Sequence, residues 1–207
     1  MSIRAVIWDF GGVLLRTEDY AGRERLAQRL GKSRQELEDL VFSSVSGTQA
    51  QLGKISDDEN WENVRLSAGL SSAELADFQT DFWSGDRLDE GLIRLIQDLR
   101  PAHKIGLLSN NYPSLRSALQ DRWKIADIFD VIIISAEVGL LKPDERIYRL
   151  ALDQLDLAPE ETVFIDDFAH NLIGAQKVGM RTILFQNAAQ VRADLQQLLE
   201  SQPDPGD

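Results

Sequence analysis

The stretch Arg4–Leu15, RAVIWDFGGVLL, carries the first statement about the fold. Four apolar residues, Ala5 to Trp8, end on a single carboxylate, Asp9, and two glycines follow at positions 11 and 12. A short, continuously apolar run marks a strand covered on both faces, as in a parallel sheet. A carboxylate at the exit of such a strand is either a turn or helix cap or a group held at a crevice.

Four more segments share this character: 104–109 (KIGLLS), 131–135 (VIIIS), 162–166 (TVFID) and 182–185 (TILF). With residues 3–8 they give five buried strands, and helical patterns lie between them. In 144–155, Ile147, Ala151 and Leu155 fall on one face beside Tyr148 and Leu152. That alternation predicts an α/β fold, a Rossmann-like parallel sheet with an inserted helical cap. The insertion is residues 16–86, which show no convincing strand and carry helical patterns over 20–30, 33–44, 57–68 and 71–83. Ser56 with Glu59 predicts a capping box at the start of the third. The expected division is a discontinuous core, 1–15 and 87–207, with 16–86 as cap and 86–90 as the return linker. The tail 202–207 is expected to fray.

The 207 residues carry 34 acidic against 22 basic side chains, a net charge of −12. That balance argues against nucleic acid or an anionic membrane as partner, and an anionic substrate would need a local positive site. No cysteine is present, which excludes disulfides, zinc-thiolate sites and a thiol nucleophile. With no leader and no apolar run of membrane-spanning length, a cytoplasmic location is expected.

In an open parallel sheet the ligand crevice lies beyond the carboxyl ends of the strands. Those ends are Asp9, then Ser109-Asn110-Asn111, then Asp166-Asp167. Three carboxylates brought together repel one another unless a cation sits among them, and an oxygen donor set suits Mg²⁺. Lys142, before Pro143 at the expected start of the helix from 144, is a further candidate for neutralising an anion there. Each of these residues also has a plain reading as a cap, a turn residue or a solvated loop side chain.

Together they resemble the haloacid dehalogenase (HAD) superfamily of hydrolases. The resemblance spans the core through four motifs in order: Trp8-Asp9-Phe10-Gly11-Gly12-Val13-Leu14, Gly106-Leu107-Leu108-Ser109-Asn110, Lys142-Pro143-Asp144, and Val163-Phe164-Ile165-Asp166-Asp167 with Asn171. It implies a phosphatase of small phosphorylated metabolites in which Asp9 is the nucleophile of an aspartyl-phosphate mechanism. It further implies Mg²⁺ bound by Asp9, the main-chain carbonyl of Gly11, Asp166 and Asp167. Ser109, Asn110 and Lys142 would hold the phosphate, with Asn171 a further contact, and Ser109 and Lys142 would act beside Asp9 in catalysis.

One position departs from the family pattern. The usual motif, Asp-x-Asp-Gly-Thr/Val, supplies a second Asp that protonates the leaving oxygen, and here that position is Gly11. A positioned acid or base contributes about 10²–10⁴-fold, so substrates with stable leaving groups, such as sugar 1-phosphates, would suffer least. Glu18, Asp19 and His170 are candidates for a replacement acid. Two other readings stay open: a metal-independent 2-haloacid dehalogenase, and a non-catalytic phosphate-binding or interaction module. Trp61 and Trp83 stand as either substrate-facing or core residues.

Overall fold

A computed structural model of the chain describes residues 2–200, and the tail at 202–207 lies outside them. The strands are β1 (Ala5–Trp8), β2 (Leu15–Thr17), β3 (Asp86–Leu88), β4 (Lys104–Ser109), β5 (Val131–Ile134), β6 (Thr162–Asp166) and β7 (Arg181–Leu184). Five of them form a parallel sheet in the order β5-β4-β1-β6-β7. Residues 5–8 of β1 pair with 104–107 of β4 on one side and with 162–165 of β6 on the other. The chain therefore grows from β1 outward to β5, then crosses back over β1 to β6 and β7. That reversal puts the topological switch point at the exit of β1, between β4 and β6, where open α/β sheets hold their ligands.

Between β2 and β3 the chain is helical: α1 (Ala21–Leu30), α2 (Arg34–Glu38), α3 (Val45–Gln51), α4 (Asp57–Ala68) and α5 (Ser72–Trp83). The sheet is flanked by α6 (Glu90–Leu99), α7 (Ser114–Ser117), α8 (Ser135–Val138), α9 (Glu145–Leu155), α10 (Ala169–Lys177) and α11 (Ala188–Glu200). Side chains of β1 alternate between two cores because the strand period is two. Val6 and Trp8 join Leu92 and Ile96 of α6 and Val191 of α11, whereas Ala5 and Ile7 join Ile147 of α9 and Ala175 of α10. Burial on both faces is why this strand reads as an unbroken apolar run.

The helical segment has its own interior, built on Leu26, Leu37, Trp61, Phe78 and Phe82. Trp61 and the partly buried Trp83 belong to it, with ring contacts to Phe82 at 5.9 and 4.9 Å. Arg23, buried, donates to the Phe82 carbonyl at 3.1 Å and pairs with Glu38 and Asp86, each at 2.9 Å. It thereby ties α1, α2 and α5 to β3. The expected capping box of Ser56 and Glu59 is present, and Ser33/Glu36 and Ser71/Glu74 repeat it.

Three expectations are corrected. Residues 15–17 and 86–88 form an antiparallel pair, β2 with β3, where no strand and only a linker were expected. Three-residue strands rich in charge have no alternation to read, and their partners lie far apart in sequence. The helix expected over 33–44 ends at Glu38 in a π-helical turn, Asp39–Ser43, and Ser44 then caps α3 by accepting the Gly47 N–H at 3.1 Å. Pro143 does not open α9: Asp144 is its N-cap, accepting the Arg146 N–H at 3.0 Å, so the proline precedes the helix. No described helix is long and apolar enough to cross a membrane.

Candidate active site

The strand ends converge. β1 delivers Asp9, β4 delivers Ser109, β6 delivers Asp166 and Asp167, and the loop between α8 and α9 brings in Lys142. Lys142 Nζ lies 2.8 Å from Asp9 Oδ1 and 2.7 Å from Asp166 Oδ2, with all three residues buried. Its aliphatic stem leaves the ammonium over the Phe164 ring at 5.3 Å. Asp9 Oδ1 also accepts the Phe10 N–H at 2.7 Å, so one carboxylate oxygen is tied. Among the described residues no hydrogen bond holds Oδ2, which leaves that oxygen for chemistry.

Asp166 is held by several neighbours. Its Oδ1 accepts the Phe168 N–H at 2.7 Å, and Asn171 Nδ2 reaches both carboxylate oxygens at 3.0 Å. Asn171 thus holds the acidic strand end, and its backbone carbonyl is fixed in turn by the Tyr148 hydroxyl at 2.7 Å. Asp167 differs, because its Oδ1 is buried with no hydrogen-bond partner. Asp9, Asp166 and Asp167 can present one oxygen each, all within 4.8 Å of one another. Burial pushes the Asp9 carboxyl up from the usual range, Asp166 and Asp167 push the same way, and Lys142 opposes them. Burial and then Asp166 raise Asp167 to about 6. Lys142 is held above its ordinary value: burial acts against its charge, but Asp9 and Asp166 outweigh burial. It stays protonated, and three carboxylates share one cation.

The two glycines have different reasons to be there. At Gly12, with φ of +80°, an ideal Cβ would lie 2.2 Å from Asp167 Oδ2, so a side chain there would collide with the acidic pair. At Gly11 a Cβ would meet nothing within 4 Å. The turn is closed by Gly12 N–H to the Leu15 carbonyl at 2.9 Å and Leu15 N–H to the Phe10 carbonyl at 2.8 Å. Neither bond uses the Gly11 carbonyl.

Asn110 was expected beside a phosphate. Its side chain is engaged instead with the backbone of Lys142, accepting the Lys142 N–H at 2.8 Å and donating to the Lys142 carbonyl at 3.0 Å. It acts as a clamp that presents the lysine. Of the replacement acids, Asp19 is engaged just ahead of α1, accepting the Ala21 N–H at 2.9 Å, and Glu18 and His170 are exposed. Among the described residues no hydrogen bond or ion pair joins any of the three to the crevice. The closeness of Gly12 to Asp167, and the contacts of Ser135 with Gln51 and Asn111, were not readable in the sequence. The collision at Gly12 involves a residue 155 positions away, and Ser135 looks like an ordinary end to a strand.

This architecture, with three strand-end motifs and a loop lysine meeting at one crevice, is that of a HAD-like hydrolase. A family model for haloacid dehalogenase-like hydrolases matches residues 3–179, and the chain belongs to that family. It is 28% identical over 203 residues to the sesquiterpene phosphatase astK of Aspergillus oryzae, covering 96% of this chain and 97% of that one. It is 30% identical over 210 residues to the phosphatase MT3486 of Mycobacterium tuberculosis, covering 93% and 91%. A HAD family enzyme from Bacteroides thetaiotaomicron, solved with magnesium and inorganic phosphate, superimposes with a TM-score of 0.73 at 23% identity, covering 90% of this chain and 96% of that one.

Proposed function

We propose that this hydrolase is a Mg²⁺-dependent phosphatase of small phosphorylated metabolites, acting through an aspartyl-phosphate on Asp9. The observation that carries the reading is the charge balance of the crevice: three carboxylates within 4.8 Å, one buried lysine, and an unpartnered buried oxygen on Asp167. Such a cluster stays ionised when a cation joins it. Asp9, Asp166, Asp167 and the Gly11 carbonyl would hold Mg²⁺, which when bound shields Asp9 from the charge of the incoming phosphate. A dehalogenase attacking carbon would have no use for that donor set, and both full-length relatives described above are phosphatases.

In this reading Asp9 attacks phosphorus, an Asp9 O–P bond forms, and the bond to the leaving oxygen breaks. Water then cleaves the acyl phosphate and returns the carboxylate. Lys142, presented by Asn110 and braced on Asp166, holds Asp9 in line and neutralises a phosphoryl oxygen, while Ser109 and the neighbouring backbone amides bind the others. Gly11 leaves the leaving oxygen without a protonating side chain. Good leaving groups, sugar 1-phosphates among them, fit that gap. The astK name raises terpenoid phosphates as a second substrate class. Residues 1–15 and 87–207 form the catalytic core in this reading, and 16–86 the cap that selects substrate.

Phosphate release from p-nitrophenyl phosphate and acetyl phosphate, with and without Mg²⁺ and beside halide release from 2-chloropropionate, tests it. Metal-dependent phosphate release that Asp9→Asn abolishes is expected. Halide release without metal would sink the reading.

A further inference from the structure

Ser135, fully buried at the exit of β5, stands where three parts of the chain meet. Its hydroxyl accepts the Asn111 N–H at 3.0 Å, and lies 2.6 Å from the Gln51 carbonyl at the end of α3 and 3.2 Å from the Asn111 carbonyl. A hydroxyl carries one proton, so it can serve only one of those two carbonyls at a time. The shorter distance assigns it to Gln51.

The surroundings make that choice consequential. Two residues beyond Gln51, Gly53 packs backbone to backbone on the core: with φ of +67°, its ideal Cβ would lie 2.0 Å from the Ala136 carbonyl oxygen. The end of α3 is thus seated on Ser135 and Ala136 with no side chain between. On the other side, Asn111 continues the run from Ser109 through Asn110, the residue that clamps Lys142. Tyr112, next in the chain, donates to the Val41 carbonyl at 2.8 Å and accepts from Asn60 Nδ2 at 3.2 Å, both in the helical segment. The run 109–112 therefore touches the catalytic lysine at one end and the helical segment at the other.

We propose that Ser135 is a positioning residue that couples seating of the helical segment to the Ser109–Asn111 run. With the segment seated, the hydroxyl proton goes to Gln51 and the Asn111 carbonyl is released. With the segment lifted, the proton turns to Asn111, and Ser135 then pins both the N–H and the carbonyl of that residue. The inference rests on the reading above of Ser109 as a phosphate contact and of 16–86 as a cap. Its consequence is that phosphate affinity depends on the cap through a buried serine that touches no substrate.

A double-mutant cycle between Gly53→Ala and Ser135→Ala tests the coupling. Gly53→Ala drives a methyl group against the Ala136 carbonyl and unseats α3 without altering residues 109–111. It is expected to raise KM for p-nitrophenyl phosphate in Mg²⁺ by roughly 3–10-fold with kcat nearly unchanged, and by a clearly smaller factor once Ser135 is alanine, where only Tyr112 still joins the run to the helical segment. Amide exchange of residues 109–111 in the substrate-free protein should follow the same pattern, altered by Gly53→Ala more when Ser135 is present than when it is alanine. Equal fold-changes in both backgrounds would overturn the proposal. Should the wild type release phosphate from no ester, the functional reading fails while the exchange cycle still decides the coupling. Should Ser135→Ala not fold, Ser135→Cys, a weaker donor, replaces it in the cycle with the coupling reduced, and an undiminished Gly53→Ala effect counts against the switch.

Discussion

The crevice at the strand ends and the interior of the helical segment are made of opposite materials. In the crevice, Asp9, Lys142 and Asp166 are joined at 2.7–2.8 Å, and neighbouring charges act on the protonation of Asp9 and of Lys142. In the helical segment, Trp61, Phe78, Phe82 and Trp83 meet mostly edge to face, with ring centres 4.9 to 6.4 Å apart. Charge identity at single positions specifies the first region, and volume shared over many positions specifies the second. Substitutions should therefore break turnover in one and stability in the other.

Lys142→Met is the largest expected break. It leaves Asp9 facing Asp166 with no cation, and turnover should fall about 10²–10³-fold, the scale of losing one preorganised electrostatic contact. Breaking a buried ion pair costs about 3–5 kcal/mol, here read by urea unfolding at pH 8. The cost should shrink at pH 5, where the raised carboxyls take up protons and repel one another less. Phe82→Ala should cost a similar amount, about 3–5 kcal/mol, through the cavity it leaves beneath Arg23 and Phe78. Turnover per folded molecule should survive that change. A loss of turnover as deep as that of the lysine variant would mean that the two regions are not separable.

The same contrast governs what could be read from the sequence. Asp9, Ser109 and Asp166 were legible because polar residues ending three apolar strands of one sheet share one crevice, and Lys142 because a loop lysine before a proline completed the motif order. The five sheet strands were legible because burial on both faces writes itself as unbroken apolar runs. The β2–β3 pair was not, since three charged-rich residues at each end of the excursion 18–85 carry no period. The clamp formed by Asn110 was hidden for another reason: its partner is backbone, and backbone has no letter. Arg23 reads as a surface helix residue, yet Glu38, Asp86 and the Phe82 carbonyl hold it inside.

Neighbouring glycines sharpen the comparison on a finer scale. Gly11→Asp places its side chain in open space and should raise turnover of alkyl phosphates more than of aryl phosphates, by up to the about 10²-fold that a positioned acid supplies. Equal gains on both substrates would mean that a proton already reaches the leaving oxygen. Gly12→Ala should lower stability by about 1–3 kcal/mol, because a non-glycine residue is strained at φ of +80°, and should displace Asp167 as well. Calorimetric titration with Mg²⁺ would register that displacement as weakened binding, while Gly11→Asp should bind the ion at least as well as the wild type.

The smallest expected effect is the pH dependence of the metal response. Asp167 titrates at about 6 in the folded protein, and Asp9 is also raised, burial being the leading cause for both. In the unfolded chain an aspartate loses its proton near pH 4, at roughly 3.9. Between about pH 4 and 6 the folded protein holds protons that the unfolded chain has released, so metal-free stability falls as pH rises through that window. Metal ligation requires the ionised carboxylates, so Mg²⁺ should raise the thermal midpoint more at pH 8 than at pH 5. Phe82→Ala, whose damage lies away from the crevice, should keep this difference, and Gly12→Ala should lose most of it. A Mg²⁺ shift of equal size at both pH values would show that the ion binds somewhere other than the acidic trio.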